Sequence, residues 1–276
     1  MPGTWTTVPG FKELLKSPLG APQAPPPLQI RVEILRQRAS TKPSLPSELQ
    51  PNYPRRDGRI LAGGGTRDPE IIAVIKERNI KGLVHFTPMD NVESILTLGL
   101  VPRRELEVLA QQNGTSFAYT DPHRYDGKES TCLSVCFPNA EMFYRKRCDN
   151  RGSKWVVLVL APEDILCHPD TRFSVGNAAQ AGAERLSGAT GFRRLYEDSP
   201  TYRKRPRDPQ AEVRVPRTIH PGLIKYICCE REDHLPTVRA ATATAGTKCN
   251  MVEGVTVVLA PQYFGKYRRH SDAPYS

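Results

Sequence analysis

A chain of 276 residues, 38% of them hydrophobic, is long enough to bury one sizeable core with an extension to spare. The formal net charge of +10 favours a polyanionic partner, which is a statement about association and not about fold. The cysteine count is seven, with no CxxC pair. No apolar stretch approaches the ~20 residues of a membrane span, and the N-terminus has no basic region leading into an apolar run. A disulfide scaffold and a membrane partner are therefore not expected, and reduced thiols in a cytoplasmic setting are.

In chain order, residues 1–68 read as a Pro-rich, basic N-terminal extension, partly irregular, with Pro25-Pro26-Pro27 at its centre. Such a segment is either a solvated tail or an arm that contacts nucleic acid. Gly63-Gly64-Gly65 either hinges the chain or cradles phosphate, and no GxxxxGK[ST] accompanies it. The main domain is expected over 69–276. It opens with a helix that has Pro69 in its first turn and an apolar face of Ile71, Ile72, Val74 and Ile75.

The stretch from Leu83 to Arg103 organises the rest. A short strand leads through Pro88-Met89-Asp90-Asn91, a proline turn with an Asx-type cap, into a helix carrying Val92, Ile95, Leu96 and Leu98. Gly99 stops that helix and Pro102 keeps it from resuming. His85 and Thr87, two apart in an extended segment, point the same way at the mouth of the crossing. They are either ligand contacts or a satisfied core histidine and a turn threonine.

The following polar stretch, roughly 103–130, ends in a loop containing Asp121, His123, Arg124, Tyr125 and Asp126. A metal site there lacks a second ligand cluster, so no metal is expected. TCLSVCF (131–137) reads as a strand, PNAEMFYRKR as a turn and short helix, and WVVLVLAPEDIL (155–166) as a nearly continuous apolar strand buried on both faces. The segment 184–217 is strongly basic, with Tyr196 and Tyr202 interleaved among Arg203, Lys204, Arg205 and others. It is either a solvated basic loop or a single-stranded nucleic-acid path, in which cations hold phosphate and rings stack on bases. AEVRV (211–215), LIKYICC (223–229) and VTVVL (255–259) complete the expected strands.

HFTPMDNVESIL followed by GL, the Arg124 loop, the Asn177-Ala178 pair and Glu212 opening a strand resemble, together and in this order, DarT-type DNA ADP-ribosyltransferases, the toxin half of DarTG toxin–antitoxin systems. The resemblance covers roughly residues 80–230. It implies an α+β fold of the ADP-ribosyltransferase type, with two packed, mainly antiparallel sheets around an NAD cleft and flanking helices. It implies NAD as co-substrate, His85, Thr87, Asn91 and Tyr144 as NAD contacts, and Glu212 and Arg124 as catalytic residues. It also implies that Tyr202, Arg203, Lys204 and Arg205 contact single-stranded DNA, and that a DarG-like macrodomain antitoxin is the partner. Thymine is the expected acceptor. Guanine in DNA, RNA and protein are alternatives, as is a basic nucleic-acid-binding module without catalysis.

The chemistry suits these residue types. Cleavage of NAD passes through a state positive at the anomeric carbon, and a carboxylate beside it stabilises that charge. The same carboxylate can accept the proton that a base nitrogen must lose.

Overall fold

The computed structural model describes residues 60–61, 64–113, 128–178, 185–198, 204–248 and 254–265. All of these residues lie within the unit Ser47–Ser276. Its strands are β1 (Ile60–Leu61), β2 (Leu83–Pro88), β3 (Thr131–Val135), β4 (Trp155–Leu160), β5 (Arg172–Ser174), β6 (Leu186–Ser187), β7 (Glu212–Val215), β8 (Thr218–Ile219), β9 (Ile224–Cys229) and β10 (Thr256–Leu259). Its helices are α1 (Pro69–Glu77), α2 (Val92–Leu98), α3 (Arg103–Asn113), α4 (Ala140–Asp149), α5 (Pro162–Leu166), α6 (Gly188–Arg194) and α7 (Leu235–Lys248).

Eight strands hydrogen-bond in the order β10-β9-β4-β2-β3-β7-β5-β6, while β1 and β8 form a small parallel pair. Apart from β10 on β9, every pairing in the large sheet is antiparallel. Where two separate sheets were expected, the strands form one order with a weak seam. β2 pairs with β4 along all six residues but with β3 only at Leu83↔Val135 and Val84↔Ser134. The other end of β3, Thr131 to Leu133, pairs instead with β7. β3 therefore changes partners between Leu133 and Ser134, and the sheet parts there into two four-stranded halves.

The core follows from the apolar runs. All six residues of β4 are buried, because β2 and β9 satisfy its backbone on both sides and side chains cover both faces. The strand ends at Leu160, short of the expected 166, because Pro162 takes the first turn of α5. On α4, Phe143 is buried against Phe86, Trp155 and Phe264, with ring centres 4.5, 5.7 and 5.5 Å away. Arg147, one turn on, donates to both Glu230 carboxylate oxygens at 2.6 and 2.7 Å and to the Phe264 carbonyl at 2.6 Å. That clasp ties the C-terminal turn to the sheet.

Two local expectations change. Gly99 does end α2, at φ 84°, and no larger residue fits, since a Cβ there would lie 2.5 Å from the Ile219 carbonyl oxygen. Asn91, however, makes no side-chain cap; it sits in a 3₁₀ turn (Met89–Asn91), and its amide donates to Thr87 Oγ1 at 3.1 Å. Moreover, the polar start of the 103–130 stretch is helical. Glu107 accepts from Arg103 Nε, one turn back, at 3.0 Å and from Lys128 Nζ, beyond the helix, at 2.8 Å.

Two histidines tie stability to pH. His168 Nδ1 accepts from the Asp170 N–H, and His220 Nδ1 accepts from the Gly222 N–H in the turn that precedes β9. Burial holds both below the ordinary histidine range, with Arg217 adding to the effect at His168. The unfolded chain therefore binds more protons than the fold once pH drops below about 6.5. Thermal stability is expected to fall between pH 7.5 and 5.5, with a shallower slope in the His168→Asn/His220→Asn double variant. An equal slope in both proteins contradicts this assignment.

Candidate active site

The partner swap on β3 brings the candidate residues together. His85 is the first residue of β2 beyond its last pair with β3, Val84↔Ser134. Glu212 is the first residue of β7 and lies one step beyond the last β3–β7 pair, Leu133↔Val213. Both residues therefore border the same point on β3, from opposite strands. Local sequence sets this up: the strand LVHFTP continues to pair with β4 while its other edge is released, and Glu212 follows a turn in which Ala211 N bonds to Asp208 O.

At the seam, side-chain bonding takes over from the backbone ladder. His85 Nδ1 lies 3.1 Å from the Cys132 carbonyl oxygen. A carbonyl oxygen only accepts, so Nδ1 carries the proton of that bond. An imidazole with its proton on Nδ1 keeps Nε2 as an acceptor when neutral, the form suited to a ribose hydroxyl or an amide N–H. His85 is half-buried, and its ring stacks beside Phe86 at 6.4 Å. Thr87 is 2% exposed, and its Oγ1 accepts from the amide of the half-buried Asn91 at 3.1 Å. Tyr144 is 40% exposed on α4, next to the buried Phe143.

Glu212 is half-buried and directly opposite Ser174 in the β5–β7 ladder. Opposed residues share a face, with Cβ atoms ~4.5–5.5 Å apart. Ser174 is 1% exposed, and its Oγ has no hydrogen-bond partner among the described residues. Ser174 stands in RFSVGNAA, in the strand just before the Asn177-Ala178 pair. Ala178 is buried and Asn177 half-buried.

The basic segment divides. Arg124, Tyr202 and Arg203 lie outside the described residues, as do Asp121, His123 and Asp126. Lys204 and Arg205 stand at the stem of the loop before β7. The Lys204 carbonyl accepts from Cys136 Sγ at 3.6 Å and Tyr196 OH at 3.3 Å, and the Arg205 guanidinium is 5.9 Å from the Phe137 ring centre. Other cations of the segment are engaged within the fold. Arg217 Nε donates to Asp170 at 2.7 Å, Arg207 to Asp198 at 3.0 Å, Arg194 pairs with Glu197, and Arg214 is buried. The free nucleic-acid path suggested by composition is thus narrower than the charge count.

Among the described residues, no three His, Cys, Asp or Glu side chains group as metal ligands would. Nor is any described helix long and apolar enough to cross a membrane.

A search of curated proteins finds no match. Among solved structures, Thermosipho africanus DarTG in complex with ADP-ribose is similar at 20% identity and TM-score 0.45, over 67% of this chain and 51% of that one. The chain thus spans about half of that relative. Thermus sp. 2.9 DarT is similar in complex with carba-NAD+ (13% identity, TM-score 0.48, 67% of this chain and 98% of that one) and with ADP-ribosylated ssDNA (12%, 0.46, 68% and 97%). The sequence profile described as ssDNA thymidine ADP-ribosyltransferase, DarT, matches residues 84–259, more than half of the chain, from within β2 to the end of β10. The chain belongs to the DarT family of ADP-ribosyltransferases.

Proposed function

We propose that this chain transfers ADP-ribose from NAD to a ring nitrogen of thymine in single-stranded DNA, as the toxin of a toxin–antitoxin pair. The observation that carries the reading is the seam in the sheet, bordered by His85 on one strand and Glu212 on the other, inside the segment that matches the family. In this reading NAD lies across the seam. His85 Nε2 accepts from the adenosine-side ribose, with Thr87 and Asn91 fixing the turn behind it, and Tyr144 packs on the nicotinamide. The glycosidic bond to nicotinamide breaks, and nicotinamide leaves with the bonding electron pair. Glu212 stabilises the cationic ribose and takes the proton released as the base nitrogen forms the new bond. Arg124 orients the base or clamps the pyrophosphate.

The loop before β7 presents the DNA. Tyr202, Arg203, Lys204 and Arg205 supply stacking and phosphate contacts, and the anchoring of Lys204 to Cys136 and Tyr196 supports a fixed stem for that loop. The residues 1–68 form an extension to a domain of 69–276. A macrodomain antitoxin is the partner, acting in the cytoplasm without a metal.

The test incubates the protein with labelled NAD and, separately, single-stranded DNA, double-stranded DNA, RNA and protein. Label confined to single-stranded DNA is the expected result. Label on RNA or protein moves the substrate and overturns the DNA assignment. Binding to DNA with no nicotinamide release makes the chain a binding module.

A further inference from the structure

We infer that Arg214 is a positioning residue for Glu212, holding its carboxylate ionised and aimed into the seam; this rests on the catalytic reading of Glu212 above. Arg214 is 6% exposed, a depth at which a guanidinium is rarely found without electrostatic work to do. Its Nε donates to Ser130 Oγ at 3.2 Å, a bond that fixes the side chain.

The strand geometry aims that charge. Glu212 and Arg214 are two apart on β7, so their side chains leave the same face with Cα atoms roughly 6.5 Å apart, within reach of a guanidinium and a carboxylate. Across β3, Arg214 is level with Cys132, the residue whose carbonyl holds His85. Across β5, Arg214 faces Arg172 and Glu212 faces Ser174. Arg172 is turned to the Pro169 and Thr171 carbonyls at 2.7 and 3.1 Å. The charged or titratable groups of this face on β3, β5 and β7 are thus Cys132, Arg172, Glu212 and Arg214, with His85 at the seam. Glu212 is the one carboxylate among them. Like charges opposed across a ladder are unfavourable, and a carboxylate beside them offsets the repulsion. Arg214 in turn favours the ionised form of Glu212, the form that can stabilise the cationic ribose and accept a proton.

Arg214→Gln is tested for the pH dependence of kcat, for KM toward NAD and for thermal stability, with Arg214→Lys and Glu212→Gln alongside. Expected for Arg214→Gln is an acid limb of the kcat profile moved up by about one pH unit, with KM for NAD changed less than ~3-fold. Arg214→Lys, which retains the charge, is expected to return the limb to its wild-type position. A raised KM with an unmoved limb would make Arg214 a contact to NAD and overturn the inference, and no change in either would make it structural. If Arg214→Gln does not fold, Ser130→Ala is the second variant. Freed from its anchor but still charged, Arg214 should then give a kcat several-fold lower with an unmoved acid limb, whereas wild-type kcat overturns the inference. Activity retained in Glu212→Gln removes the reading underneath; an inactive Glu212→Gln with an unmoved Arg214→Gln limb removes this inference alone.

Discussion

Glu212→Gln is expected to lower transfer of ADP-ribose by roughly 100-fold or more, with binding of NAD largely kept. The substitution keeps the volume and the strand, so β7 retains its ladders to β3 and β5. What it removes is the negative charge at the seam and the acceptor for a proton. Both matter only as the glycosidic bond breaks, so the loss should fall on kcat and leave KM nearly unchanged. Single-turnover nicotinamide release, measured beside NAD binding by calorimetry, separates the two. Loss of binding with an intact chemical step would place Glu212 among the NAD contacts and leave the carboxylate role without a residue.

Phe143→Ala carries the largest expected effect on stability, about 3–5 kcal/mol. Phe143 is 1% exposed and touches three aromatic rings, and the Arg147 guanidinium lies 5.6 Å from its ring centre. Its removal opens a cavity between α4, β2 and the C-terminal turn, in a place where the neighbouring rings are themselves held by the sheet. Phe86 is the residue after His85, so the seam loses support as well. Urea unfolding gives the stability change, and nicotinamide release at a temperature where the variant is still folded gives the effect on the site. A loss under 1 kcal/mol would mean that the cluster repacks and that the site does not depend on it.

Much of the fold was legible in the sequence because its strands are short apolar runs closed by turn residues. β2, β3, β7 and β9 begin where periodicity and the flanking Pro, Gly and Asp place them. Helix α3 was not legible as a helix because RRELEVLAQQN is mostly polar and its apolar stripe is narrow, Leu106, Leu109 and Ala110. Helix α5 was absorbed into a strand because its apolar residues continue the run of β4, and only Pro162 marks the change.

The candidate residues were picked out by residue type. His85 and Glu212 stand out as polar residues at the ends of apolar segments. Their meeting was not legible, because it depends on β3 changing partners between Leu133 and Ser134, and a sequence names strands without naming neighbours. Alternation along EVRV puts Arg214 on the same face as Glu212. Asn91 looked like a helix cap because Asn commonly caps helices, but here its amide holds Thr87.

The central claim, that this chain joins ADP-ribose to thymine through Glu212, is tested most directly by intact-mass spectrometry. Single-stranded oligonucleotides containing one thymine, or none, are incubated with NAD and with wild-type or Glu212→Gln protein. The account predicts the mass of one added ADP-ribosyl group on the thymine oligonucleotide with wild-type protein alone, with fragmentation placing it on the base. Addition to the thymine-free oligonucleotide, or equal addition by Glu212→Gln, would contradict it.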